Sequence, residues 1–208
     1  MDNSTLAAIT KWPNVPNCYG WLSLDRRGNF RIRNEFAQLN QLPGELIKHP
    51  GLNNSIKTHY CIDEKNQYFY QNGPQRVYIN LSYCPYVVKF FPADSSTWVL
   101  KNHLDQIIEP IRCFLDEKGN VLLESIVPIS QVTDKPTVSF TTIHHRTIAL
   151  LHDHDLGIFS SLSNMDVANC GVIGVFHWKN KDIPIEPIMA KDTAKEFNFI
   201  PEPTQNSN

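Results

Sequence analysis

One local pattern, met three times, does most to limit how this chain can fold. Leu22–Phe30 reads LSLDRRGNF, Cys61–Phe69 reads CIDEKNQYF and Phe114–Leu122 reads FLDEKGNVL. Each is an apolar stretch, then Asp, two charged residues, Gly or Asn, a polar residue and an apolar restart. Asp suits the first corner of a type I turn, and Gly or Asn accepts the left-handed conformation that ends it. The pattern predicts β-hairpins tipped at Asp25–Gly28, Asp63–Asn66 and Asp116–Gly119. The tips are 38 and 53 residues apart, so no fixed period points to a propeller or solenoid.

Strand signals fill the intervals. QRVYINLSY alternates, with Val77, Ile79 and Leu81 on one face and Tyr78 and Asn80 on the other. YVVKFF, STWVLKN and TVSFTTIH are rich in β-branched and aromatic residues, and CGVIGVFHW reads as a buried strand. IIEPIRCFL carries Pro110, which marks an edge or a bulge. Helical signals are fewer. Residues 4–10 suit a short helix capped by Ser4, and Pro50 can open one that carries Leu52 and Ile56 on one face. DHDLGIFSSL can be capped by Asp153 or Asp155, and KDTAKEFNF starts on Asp192 and ends near Asn198. The expected fold is mainly β (α+β): antiparallel hairpins forming a curved sheet or barrel-like domain, with a few short helices, clearest near the C-terminus. The domain is expected to span residues 1–200, with a possible sub-division near 92–97 and a disordered tail at 201–208.

Composition narrows the class. Among 208 residues, 41% are apolar and 19% charged, which fits a globular chain able to bury a core without staples. A net charge of −2 gives no global attraction to nucleic acid or anionic membrane. The start lacks a basic segment followed by an apolar one, and no apolar run is long enough to span a bilayer. Cys18, Cys61, Cys84, Cys113 and Cys170 lie no closer than 23 residues apart, which excludes a C-x-x-C motif. They read as buried thiols in a reducing compartment, and a cytoplasmic location follows as the expectation. Cys61 has His59 two residues away, too far along a strand for easy proton transfer.

Two longer stretches carry a resemblance. The first is Trp12, Pro13, Val15, Pro16, Cys18, Tyr19, Gly20, Trp21, Leu22, Leu24, Asp25, Arg27 and Gly28; the second runs from Asn72 through Gly73, Pro74, Gln75, Arg76 and Val77 to Tyr78. They resemble a family of uncharacterised proteobacterial proteins. That family opens on W-P-x-V-P-x-C-Y-G-W-L-x-L-D-x-R-G-x-W, carries N-G-P-Q-R-V-Y and closes on aromatic-Gly-aromatic before Ser-Pro. Here Phe30 stands where Trp is usual, and EFNFIPEP puts Asn198 for Gly and Glu202 for Ser. Asn also accepts a left-handed helix cap, so that change is mild. The resemblance implies no activity.

HHRTIALLHDHD, residues 144–155, holds four of the eight histidines. A metal needs three or more ligands converging at about 2.0–2.2 Å. His152 and His154 form an H-x-H pair, but Leu156, Ile158 and Phe159 occupy the positions where the usual H-x-H motifs place a carboxylate. His144 and His145 face opposite sides of a strand, and His177 could supply only a distant third ligand. No cofactor is predicted, and His152, His154 and His177 remain the weak metal candidates. The alternative reading is a small hydrolase, with or without a metal, in which His152 and Asp155, three residues on, form an acid–base pair with His154 beside it.

Arginine supplies the other candidates. Arg76 emerges from the rigid Gly73–Pro74 turn, where a guanidinium can take a carboxylate or phosphate in bidentate fashion or tie the turn together. With Asn72, Gln75, Trp12 and Trp21 it forms the candidate ligand surface. Arg26, Arg27, Arg31 and Arg33 surround the first hairpin, with Phe30 and Ile32 facing the core, and could grip phosphate as a third, nucleic-acid reading. P-loop, dinucleotide-binding and nucleophile-elbow motifs are absent. The first reading is therefore a non-catalytic binding or accessory module for a protein or small anionic ligand.

Overall fold

A computed structural model describes residues 3–94, 97–134, 137–165 and 171–205. In it the chain starts with α1 (Asn3–Lys11), β1 (Cys18–Leu24) and β2 (Phe30–Ile32), then α2 (Glu35–Leu39) and β3 (Glu45–Leu46). α3 (Pro50–Thr58) precedes the meander β4 (Tyr60–Asp63), β5 (Tyr68–Asn72) and β6 (Gln75–Leu81). β7 (Tyr86–Pro92), β8 (Trp98–Asn102), β9 (Ile107–Ile108) and β10 (Arg112–Asp116) lead to two long strands, β11 (Val121–Thr133) and β12 (Ser139–Leu151). α4 (Leu156–Ser161), β13 (Ser163–Asn164), β14 (Gly174–Trp178), β15 (Lys181–Ile188) and α5 (Thr193–Glu196) complete the order.

All three acidic tips close hairpins by the same bonds. In each, the Asp Oδ1 accepts from two backbone N–H groups, two and four residues on, at 2.8–2.9 Å. Gly28, Asn66 and Gly119 take positive φ, as the turn type requires. A fourth turn of the same build joins β8 to β9. There Asn102 Oδ1 accepts from Leu104 and Gln106 N–H at 3.0 and 3.1 Å, and Asp105 sits at φ 64°. Asn and Asp have exchanged places, so the acidic pattern misses it.

The hairpins curl into a single mixed sheet, mostly β in content with a few short helices. Its longest path runs β13-β14-β15-β10-β11-β4-β5-β6-β1-β2-β3. β11 is the spine. It pairs with β12 along its whole length, while its opposite edge holds β10 near Leu122 and β4 near Gln131. The other edge of β12, at Ala149–Leu151, carries β7, then β8 and β9. Four pairings are parallel, β1 with β6, β4 with β11, β7 with β12 and β10 with β15, and these draw distant parts of the chain together.

The core lies inside the curl, from Leu22 and Phe30 through Tyr68, Ile79, Val88 and Leu122 to Phe176 and Ile185. A smaller cluster of Cys61, Phe69, Tyr78 and Val132 covers part of the other face. Tyr78 is thus buried although it opposes Ile79, because both faces of β6 are covered there.

Several boundaries differ from expectation. Ile32 is exposed rather than in the core, since only the two-residue β3 lies beyond β2. Pro110 separates β9 from β10. At the possible sub-division near 92–97, Pro92 pairs with Trp98 and Ala93 N–H donates to Thr97 O, and residues 95–96 lie outside the described residues. Of the expected tail, Pro201 and Pro203 pack against the sheet while Glu202, Thr204 and Gln205 are exposed. Leu81 N–H donates to Pro201 O at 2.8 Å and Pro203 is buried; prolines lose little freedom on being ordered, so polar composition misleads here. Residues 206–208 of that tail, and Cys170, lie outside the described residues. The strand read from residue 170 begins at Gly174. Among the described residues α1 and α3, nine residues each, are the longest helices. Ser4 lies within α1. α3 is capped by His49, whose Nδ1 accepts from Leu52 N–H at 3.2 Å.

Candidate functional site

The histidine cluster resolves into separate structural parts. His152 ends β12 and caps the turn of 3-10 helix at Asp153–Asp155, its Nδ1 accepting from His154 N–H at 3.1 Å. This imidazole is buried and its pKa is lowered, by burial first and then by nearby Lys89. The expected His152–Asp155 side-chain pair is not formed. Asp155 turns its carboxylate away, and Oδ2 accepts from Phe90 N–H at 2.8 Å, tying the turn to β7. Neither Asp153 nor Asp155 caps the helix with its side chain, because Asp153 is drawn to Arg27 at 2.7 Å. His154 is exposed and meets the His152 ring edge-on at 4.9 Å. His177 is exposed on β14 with Nδ1 2.7 Å from Asp182 Oδ1. Among the described residues, no three His, Cys, Asp or Glu side chains are grouped as metal ligands.

The buried thiols are inert. Burial pushes Cys61 and Cys84 up to about 12. Cys61 donates to the His59 carbonyl and not to its ring.

Arg76 is engaged from within. Its Nη1 donates to Asp134 Oδ2 at 3.0 Å, Nη2 donates to Asp134 Oδ1, and the guanidinium lies 5.1 Å from the Phe69 ring centroid. Gly73, at φ 55°, and Pro74 make the two-residue reversal between β5 and β6 that sets Arg76 in place. Gln75 Nε2 donates to Pro16 O at 3.1 Å, and exposed Asn72 accepts from Tyr70 OH at 3.4 Å. A cleft of about 420 Å³ joins Arg76, Gln71 and Asp134 to the segment from Pro13 to Asn17. Trp12 and Trp21, both exposed, do not line it. Neither His152 nor His154 lines the cleft that holds Arg76.

The first-hairpin arginines are also committed. Arg26 donates to Asn120 and covers the Tyr83 ring, Arg27 holds Asp153, Arg31 holds Asp25 and Gly44 O, and Arg33 donates to Leu42 O. The expected phosphate-gripping stripe is a set of tethers between this hairpin and its neighbours.

What the sequence reading missed is a basic cleft of about 510 Å³ on the outer side of this tip. One wall is the tip with β3 and α3, supplying Arg27, Lys48 and Lys57; the other is β7 and β8, supplying Lys89 and Lys101. Asp105 is the one carboxylate among the lining residues, and Lys57 already holds it at 2.8 Å. Lys48, Lys89 and Lys101 have no ion pair among the described residues. His103 adds no charge. Its Nδ1 accepts from Val87 N–H at 3.3 Å, and burial, with Lys57 nearby, lowers its pKa to about 3. Phe30, Ile47 and Val87 form a buried apolar floor, with Leu46 and Phe91 on the lips. These cations are spread from residue 27 to residue 101, so no sequence window contains the cluster.

Fold and site together define a β-rich domain whose motif residues are tied internally and whose open cleft at the first hairpin tip carries three lysines without carboxylate partners. The chain belongs to the family DUF2944, whose model, described as a protein of unknown function (DUF2946), matches residues 1–204. A DUF1285 family protein from Silicibacter pomeroyi DSS-3 is similar in structure, with 13% identity over 90% of this chain and 88% of that chain at a TM-score of 0.42. No curated protein matches. Among the described residues, no helix is long and apolar enough to cross a membrane.

Proposed function

We propose that this chain is a non-catalytic binding module for a small anionic ligand, seated in the cleft between the first hairpin tip and the β7–β8 hairpin. One observation carries the reading: three lysines without carboxylate partners face a cavity of ligand size around an apolar floor. A cleft lined by one sign of charge focuses its field and concentrates ligands of the opposite sign. The anion is assigned to this cleft and not to Arg76, because the Arg76 fork already holds a carboxylate. The free thiols of Cys18, Cys61, Cys84 and Cys113 support a reducing, cytoplasmic setting for the module.

Calorimetric titration of the full chain with inorganic phosphate and with pyrophosphate tests this. Saturable binding is expected, weakened about tenfold or more in the Lys89→Gln/Lys101→Gln double variant. Absence of binding by either anion at millimolar concentration, or equal affinity in the variant, rejects the assignment.

A further inference from the structure

We infer that the ligand is a ring-bearing phosphate of the nucleoside diphosphate class, a step that rests on the anion reading above. Three features of the cleft narrow the chemistry. The first is the type of cation. Carboxylates are best recognised by the planar fork of arginine, whereas lysine acts as a mobile point charge that suits phosphate. The one arginine lining the cleft, Arg27, gives its Nε and Nη2 to Asp153 at 3.2 and 2.7 Å, so the cations without a carboxylate partner are ammonium groups. The second is their number. Lys48, Lys89 and Lys101 leave three positive charges uncompensated. A diphosphate monoester carries about three negative charges at neutral pH, its terminal phosphate having a second pKa near 6. A single phosphate leaves at least one lysine unanswered.

The third feature is the apolar lip. Leu46 is 41% exposed and Phe91 38% exposed, and they line the same cleft from different walls, β3 and β7. An exposed phenylalanine within a cationic cleft offers a stacking face for a flat ring. Lys101 Nζ lies 5.4 Å from the centre of the Phe91 ring, so one lysine bridges the charged and the apolar parts of the site. The cavity of about 510 Å³ falls within the range that holds a nucleotide-sized molecule. Phosphates among Lys48, Lys89 and Lys101, with the ring between Leu46 and Phe91, engage the three unpaired lysines and both exposed apolar side chains of the cleft.

The test compares pyrophosphate, ADP, adenosine and citrate by titration against the full chain. ADP is expected to bind about tenfold more tightly than pyrophosphate, in line with the usual strength of ring stacking. Adenosine is expected to show no saturable binding, and citrate to bind more weakly than pyrophosphate. Phe91→Ala should weaken ADP binding more than pyrophosphate binding and so close the gap between the two. Phe91→Leu, which keeps apolar bulk without the ring, should do the same and covers the case where the alanine variant fails to fold. Equal affinity for ADP and pyrophosphate overturns the ring assignment and leaves the anion reading standing. Citrate matching pyrophosphate overturns the phosphate assignment. A single-stranded oligonucleotide binding more tightly than ADP overturns the small-molecule identity. Failure of every anion removes the underlying reading itself.

Discussion

Arg76 and Asp134 meet fork to fork across 58 positions of sequence, with the two members unequally buried: their side chains are 11% and 55% exposed. That asymmetry decides which half of the pair matters more. Replacing Asp134 strands a buried guanidinium, whereas replacing Arg76 releases a carboxylate that water can already reach. Asp134→Asn should cost about 1–2 kcal/mol, between the values for exposed and fully buried pairs. Arg76→Met, whose side chain still packs on Phe69, should cost less than about 1 kcal/mol. Urea denaturation of the two variants checks the order, and a larger loss in Arg76→Met refutes it.

The hairpin tips look alike in sequence but differ in their surroundings. Gly28 and Gly119 have φ 81° and 78°, so alanine at either pays for the left-handed backbone, about 1–2 kcal/mol. At Gly119 an added Cβ meets nothing within 4 Å. At Gly28 it would come within 2.9 Å of His103 Cβ and 3.3 Å of Val87 Cβ, adding overpacking worth about 1–3 kcal/mol. Gly28→Ala should therefore lower the thermal midpoint clearly more than Gly119→Ala. Equal shifts would mean that the tip does not press on β7 and β8.

His103 gives the fold a sensitivity to acid. Burial holds its pKa near 3 in the folded chain, against an ordinary value of 6.5. Between those values the unfolded chain binds a proton that the folded one refuses. The contribution is fully present above pH 6.5 and is lost as pH falls toward 3, at up to about 1.4 kcal/mol per pH unit. His103→Gln removes this titration. Its urea midpoint should fall less steeply between pH 6.5 and 4 than that of the parent, and parallel profiles would assign the acid limb to other groups.

The legible parts of this structure are those written within a few residues. Asp63 and Asn66 announce their turn because the carboxylate reaches the N–H groups of Lys65 and Gln67, all inside one short segment. Asn102 and Asp105 build the same turn and escape notice, since the residue types are exchanged. The parallel pairing of Cys18–Leu24 with Gln75–Leu81 has no local signature at all. Function was harder still. Sequence reasoning found the residues with distinctive chemistry, His152, Asp155 and Arg76, and folding spent each on a neighbour: a backbone N–H, another backbone N–H and a carboxylate. The residues left unspent are ordinary lysines from separate strands and loops, invisible in a chain with a net charge of −2.

A cleft kept basic for a ligand should weaken the empty protein. Lys89 and Lys101 lie on paired strands in direct register, so their like charges oppose the β7–β8 hairpin. Lys89→Gln/Lys101→Gln should raise the thermal midpoint at low ionic strength, and added sodium chloride should narrow the gap by screening. Pyrophosphate should reverse the ranking. A ligand that binds only the folded parent stabilises it by about 2.7 kcal/mol at one hundred times its Kd, and the variant gains less. Differential scanning fluorimetry in chloride and in pyrophosphate reads both effects. If the variant is no more stable than the parent in low salt, or if pyrophosphate raises both midpoints alike, the lysines form an ordinary solvated face and the cleft has no anion to hold.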